Sequence, residues 1–211
     1  MKKGLKTLLL TSLLGAYSSS LLATPDSVKI TNVRAHGTGC PRGSVYIDIS
    51  PDRQVFTALF DQFQATIDPF DPNIRYSDRH KRCDLALRVH VPSGWQFSVF
   101  EADYEGWYDI QKGISLTQTS TYHFQGNRRH RKRSSIRATR SDKSGEFLFK
   151  DKMGVSSTEW SACGAPRDMY ITSEIRLSSR KRNAVGVAGI DAIEGQFKMQ
   201  AHYKIRWRRC R

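Results

Sequence analysis

Hydrophobic and polar residues alternate along most of this chain, most regularly in its last run. From Gln196 to Cys210, Phe197, Met199, Ala201, Tyr203, Ile205 and Trp207 share one parity, against Lys198, Gln200, His202, Lys204, Arg206 and Arg208 on the other. Successive side chains of a strand point to opposite sides, so a period of two marks a strand with one buried and one wet face. The pattern recurs in Val28–Val33, Ser44–Ser50 and Tyr170–Ser178, and on both sides of Pro92-Ser93-Gly94. Cys83, Leu85, Leu87, Val89 and Val91 precede that turn and Trp95, Phe97 and Val99 follow it. Residues 82–100 therefore read as a central β-hairpin.

Other segments fill in the same picture. Gln54–Ile67 reads as one bulged or two short strands, Gly113–Phe124 as an unusually polar strand and Glu146–Lys150 as a short one. Residues 68–80, rich in Asp and Pro, read as an exposed loop. Glu105-Gly106-Trp107-Tyr108 reads as a bend with exposed aromatics, and Gly189–Glu194 has room for only a short helical turn. A helical period never lasts beyond two turns. The expected fold is all-β, an antiparallel β-sandwich of about nine short strands.

Length and charge divide the chain. Lys2, Lys3 and Lys6 precede an apolar stretch from Leu8 to Leu22, and Ala23 before Thr24-Pro25 offers a cleavage point. This is the layout of a secretory signal peptide over residues 1–23, with a cut after Ser18 as the alternative. Gly15 and Ser18 to Ser20 interrupt the run, which is too short for a membrane span of about 20 residues. The remainder, residues 24–211, suits a single domain. The expected location is secreted or periplasmic.

The formal charge is +14 for the whole chain and +11 without the three leader lysines. Such a balance favours anionic partners, and for an exported chain those are acidic polysaccharide or lipid headgroups before nucleic acid. The four cysteines, Cys40, Cys83, Cys163 and Cys210, imply two disulfides in an oxidising compartment. Three pairings are open. Cys40–Cys210 with Cys83–Cys163 is preferred, because the first pair would tie the ends of the domain together. No spacing of Cys or His fits a zinc site, and no metal or cofactor is expected.

A set of short motifs runs in order along the chain. They include Gly37-Thr38-Gly39-Cys40-Pro41, Ile49-Ser50-Pro51-Asp52, Lys81-Arg82-Cys83 and Gly94-Trp95-Gln96-Phe97. Thr117-Gln118 with Ser120-Thr121-Tyr122, Trp160-Ser161 with Cys163-Gly164, and Trp207-Arg208-Arg209-Cys210 complete them. With these the chain resembles the secreted domain-of-unknown-function family 4360 over about residues 34–210. The resemblance implies a cysteine-bridged exported β domain, and it carries no catalytic residues across. Where that family is Gln/Ser/Thr-rich after Gly126, this chain has Asn127-Arg128-Arg129-His130-Arg131-Lys132-Arg133.

That basic run is the first candidate for function. Arg128, Arg129, Arg131, Lys132 and Arg133, extended by Arg137 and Arg140, could neutralise carboxylates or phosphates, although a solvated hairpin tip would look the same. The basic parity of the last run, Lys198, Lys204, Arg206 and Arg208, reads more simply as charge protecting an edge strand. Tyr104, Trp107 and Tyr108, with Tyr122, could stack on sugar rings or could cap the core. The histidines at 36, 80, 90, 123, 130 and 202 are scattered, and Asp61, Asp68 and Asp71 suit a solvated loop. No nucleophile elbow, zinc-helix or phosphate-loop motif is present. The reading is a binding module for an anionic envelope or extracellular polymer. The alternatives are a secreted hydrolase with a site of loop carboxylates and His, or a nucleic-acid-binding or toxin-like protein.

Overall fold

A computed structural model describes residues 24–25, 27–125, 130–153, 160–165, 167–189 and 199–210. The expected leader, Arg128, Arg129, Lys198 and most of the segment after Gly189 lie outside the described residues. The described chain is all-β, with a single 3-10 turn at Tyr76–Arg79. In chain order the strands are β1 (Lys29–His36), β2 (Val45–Ile49), β3 (Val55–Phe60), β4 (Gln64–Ile67), β5 (His80–His90) and β6 (Trp95–Ile110). They continue with β7 (Ile114–Phe124), β8 (His130–Arg137), β9 (Lys143–Lys152), β10 (Arg167–Ser179), β11 (Gly186–Gly189) and β12 (Met199–Arg209). Twelve strands thus replace the expected nine.

Two antiparallel sheets face each other. One has five strands in the order β1-β5-β10-β7-β8, and the other has the order β2-β3-β12-β6-β11-β4 with β9 also paired to β6. Leu85, Leu87 and Val89 of β5, Leu116 and Phe124 of β7 and Ile171 and Ile175 of β10 are buried from one side. Phe56 and Phe60 of β3, Phe97 and Val99 of β6 and Tyr203 of β12 meet them from the other. Phe97 packs edge-on to Phe124 across the gap at 5.1 Å between ring centroids.

The expected hairpin at 82–100 is a crossover instead. β5 pairs with β1 and β10, whereas β6 pairs with β12, β9 and β11. Pro92-Ser93-Gly94, with Gly94 at φ 78°, carries the chain from one sheet to the other. Both arms still bury one parity, because both face the same core.

β6 also runs through the expected bend at 105–108. Its pairing with β12 skips Phe100, since Lys204 opposes Glu101 and Ile205 opposes Val99. The bulge flips the inward parity from Trp95, Phe97 and Val99 to Ala102, Tyr104 and Ile110. An alternation that changes phase resembles the end of a strand, and here it is one strand of 16 residues.

The disulfides are Cys40–Cys83 and Cys163–Cys210, which overturns the preferred pairing. Each bridge staples one end of one sheet. Cys40 lies just after β1 and reaches β5 in the five-stranded sheet. Cys210 lies just past β12 and its backbone N–H donates to the carbonyl of Gly94, at the start of β6 in the other sheet. The last strand is not an edge: β12 sits between β3 and β6.

Polar residues of β7 explain themselves in the core. Ser120 is fully buried and Gln118 nearly so. Ser173 donates to the Tyr104 hydroxyl at 3.3 Å, the Tyr104 and Tyr122 hydroxyls lie 2.7 Å apart, and Tyr122 donates to Asp151 at 2.8 Å. The chain of hydroxyls joins the two sheets through their middle. Burial pushes the Asp151 carboxyl up, partly offset by the hydrogen bond from Tyr122.

Candidate binding face on the five-stranded sheet

Of the basic run, Arg131, Lys132 and Arg133 lie on an edge strand, β8, paired antiparallel to β7, while Arg128 and Arg129 lie outside the described residues. The strand alternates: Arg131, Arg133 and Arg137 are exposed, while Lys132, Ser134 and Ile136 are half-buried. Lys132 lies opposite buried Ser120, on the inward parity, and its charge acts on Asp151. Arg140 is exposed beyond the strand. Among the described residues Arg131, Arg133 and Arg137 have no carboxylate partner.

Register then builds a site from five separate strands. His36 of β1 lies opposite Asp84 of β5, which lies opposite Thr172 of β10. Thr172 faces Thr121 of β7, and Thr121 faces Arg131 of β8. All five are on the outward parity, so one row of side chains crosses the whole sheet. The neighbouring row reads Arg82, Glu174, Thr119 and Arg133. On the other side Tyr170 lies opposite His123, their rings stacked with centroids 5.0 Å apart and planes 18° apart. Between these rows runs an open groove of about 730 Å³, lined by residues of all five strands.

Arg82 organises the floor of the groove. It grips Asp84 with two hydrogen bonds of 2.8 Å and reaches Glu174 at 2.9 Å. Thr172 also donates its hydroxyl to Asp84. His36 lies 3.9 Å from Asp84 and His80 lies 3.4 Å from Glu174, at the two ends of this chain of charges. Partial burial works to raise Asp84, but the Arg82 fork and the Thr172 hydroxyl outweigh it and hold the carboxyl below its ordinary range. Its bonds to Asp84 hold the Arg82 guanidinium charged. Asp84 and Glu174 therefore act as hydrogen-bond acceptors, and β8 supplies the uncommitted cations.

The aromatic candidates go elsewhere. Tyr104 is fully buried and Tyr122 nearly so, both in the core hydroxyl chain, so neither can meet a ligand. Tyr108 is half-buried and packs against the core. Trp107 is half-buried on the opposite parity of β6, the outer side of the other sheet. The basic residues of β8 and the expected aromatic contacts do not share a surface. The Asp residues of the 68–80 loop are structural: Asp68 accepts the backbone N–H groups of Phe70 and Asp71, and Asp71 accepts that of Asn73. His36 cannot pair with a thiolate, because Cys40 is bridged.

The fold, the two bridges and the polar sheet face define an extracellular class of protein, a disulfide-stapled β-sandwich. The chain belongs to the family described as domain of unknown function (DUF4360), which it matches over residues 26–210. An "Uncharacterized secreted protein" of Arthroderma benhamiae (strain ATCC MYA-4681 / CBS 112371) is 39% identical over 186 residues, 88% of this chain and 73% of the relative. The protein is secreted, in keeping with that relative and with its disulfides. Among the described residues no helix is long and apolar enough to cross a membrane.

Two solved structures are also similar. One is TmCBM61 in complex with β-1,4-galactotriose, at TM-score 0.25 and 10% identity over 86% of this chain and 91% of that one. The other is the adhesin domain of Epf from Streptococcus pyogenes, at TM-score 0.21 and 8% identity over 78% of this chain and 46% of that one. At such TM-scores neither says what this chain binds.

Proposed function

We propose that this protein is a binding module that holds an anionic extracellular polymer on the outer face of its five-stranded sheet. In this reading residues 1–23 are an export leader removed near Ala23, and residues 24–211 form the working domain. One observation carries the reading. Arg131, Arg133 and Arg137 stand on the exposed parity of one edge strand, free of carboxylate partners among the described residues, beside an open polar groove. Along the strand Arg131 and Arg133 are about 6.6 Å apart and Arg137 stands about 13 Å further on, so the three guanidinium groups make an uneven row along one edge that a chain of anions can follow. Cations already paired to carboxylates would have to break those pairs before gripping a ligand. These do not.

Attraction of this kind is screened beyond about 8 Å at physiological ionic strength. The mature protein is therefore expected to stay on an immobilised acidic polysaccharide at low salt and to elute as salt rises. Replacing Arg131, Arg133 and Arg137 together by Ser should abolish that retention while leaving thermal unfolding nearly unchanged. Retention of the triple variant equal to that of the wild type would overturn the reading, as would no salt-sensitive retention of the wild type.

A further inference from the structure

A surface made only to capture dense negative charge would be lined by cations. The groove beside β8 is not, because Asp84 and Glu174 line it together with Arg82 and Arg131. Arg82 is already committed to both carboxylates, at 2.8 Å and 2.9 Å. A phosphate or sulfate pressed into this part of the face would meet two carboxylates in a partly desolvated site, where like charges repel. Donors fare better. A carboxylate has about four lone-pair positions; Arg82 and Thr172 together fill three on Asp84, and Arg82 fills one on Glu174 with His80 beside another, so each keeps room for a further donor. The groove therefore asks for a ligand rich in hydroxyls.

Two further features narrow the choice. Tyr170 and His123 form a half-buried pair of stacked rings in the same groove. The C–H-bearing face of a pyranose is apolar and packs on such rings, while its hydroxyls remain free at the rim. Arg131 lies directly across from Thr121, two residues along β7 from His123, and has no carboxylate partner among the described residues. The groove thus offers the remaining face of a stacked ring pair, acceptors for hydroxyls and one guanidinium without a carboxylate partner among the described residues.

We infer that the groove seats a short stretch of a uronate-bearing polysaccharide, with one ring against the Tyr170–His123 pair, hydroxyls donating to Asp84 and Glu174, and a uronate carboxylate held by Arg131. This rests on the binding reading above and narrows it to a polyhydroxylated, sparsely charged polymer. Nucleic acid and heavily sulfated chains are disfavoured by the same two carboxylates. A guanidinium can meet the uronate carboxylate with two parallel hydrogen bonds, which a methyl ester cannot accept as an ion.

The test compares the wild-type mature protein with Tyr170→Ala and Tyr170→Phe for binding to polygalacturonate, its methyl-esterified form and heparin at one salt concentration. The wild type should prefer polygalacturonate to heparin and lose about tenfold in affinity on esterification. Tyr170→Ala should lose about tenfold for polygalacturonate, and Tyr170→Phe, which keeps the ring, should retain most of the binding. Thermal unfolding of both variants reports whether the fold survives, and Tyr170→Phe keeps the comparison valid if Tyr170→Ala does not fold. Tighter binding to heparin, or a Tyr170→Ala protein that binds polygalacturonate like the wild type, would overturn the uronate assignment and leave the broader reading standing. Failure to hold any of the three polymers at low salt would remove both.

Discussion

The outer faces of the two sheets each carry a basic row, on β12 and on β8, and the two rows differ in how far their cations are committed. On the seven-stranded sheet the cations of β12 are occupied. Lys204 bridges Glu101 and, at 3.1 Å, Asp103, while Arg206 lies 4.1 Å above the Phe100 ring and Arg208 4.0 Å above that of Trp160. The Lys204 ammonium is held charged by its bonds to Glu101 and Asp103. On the five-stranded sheet Arg82 and Arg88 are likewise paired, to Asp84, Glu174 and Asp168, but Arg131, Arg133 and Arg137 have no carboxylate partner among the described residues. Charge marks both surfaces, and its availability separates the β12 row from the β8 row; Lys150 and Lys152, on the exposed parity of β9, also lack a carboxylate partner among the described residues. A basic row between two strands can be structural, stacking on neighbours and covering apolar surface with its aliphatic stems. The β8 row has a neighbouring strand on one side only, β7.

The comparison can be broken first through the disulfides, where the largest effect is expected. Each bridge closes a loop of similar length, with separations of 43 and 47 residues. Replacing either pair by Ser should lower the unfolding free energy by about 4 kcal/mol, measured by urea titration. Only loss of Cys40–Cys83, which anchors the segment after His36 to β5, should also weaken polysaccharide retention. Equal weakening from loss of Cys163–Cys210 would mean the two faces are not separate.

Next in size is exchange of the two cation sets. Arg131→Ser, Arg133→Ser and Arg137→Ser together should reduce affinity for an acidic polymer by at least about tenfold, or about 1.4 kcal/mol. Lys204→Ser, Arg206→Ser and Arg208→Ser together should leave affinity within about twofold and lower stability instead. Chromatographic retention and thermal melts on both triple variants decide between the two roles.

The carboxylates sharpen the contrast between surface and core through pH. Asp84 is held below its ordinary range, so it contributes stability above about pH 4 that is lost as pH falls through its folded value. Asp151 is pushed up by burial, so its ionisation costs stability as pH rises from about 4 through its folded value. Asp151→Asn keeps an acceptor for Tyr122 without the charge. Its stability should exceed that of the wild type near neutral pH by on the order of 1 kcal/mol and fall less on the rise from pH 4. Urea midpoints collected against pH would show a parallel profile for the two proteins if Asp151 were not the group responsible.

The smallest effect concerns a single stacked cation. Arg206→Ala, which removes the contact with Phe100, should cost about 0.5–1 kcal/mol and leave retention on the polymer unchanged.

Much of the fold was legible residue by residue. The buried parities of β5, β10 and β12 are those of the alternation, and the four cysteines implied two bridges, though not which cysteines pair. Partners were a different matter. Val89, Val91, Trp95 and Phe97 alternate in the same way whether their strands pair side by side or face each other across a core. The phase change at Phe100 hid the second half of β6, and with it the burial of Tyr104. Of the candidate site, Arg131, Arg133 and Arg137 stood out as a local run of charge. Tyr170, His123, Asp84 and Glu174 had no local signal, being ordinary polar-parity residues on strands far apart in the chain.

What the amino-acid order determined by itself was the class: strands, a wet and a dry side for each, an oxidised exported chain and a basic excess. Those properties depend on neighbours one or two residues away or on composition. Which strands lie side by side, which cysteines meet and which charges stay uncommitted were decided only by the tertiary structure. They depend on register between segments dozens of residues apart, and a row such as His36, Asp84, Thr172, Thr121 and Arg131 comes together only when five strands are set in one order.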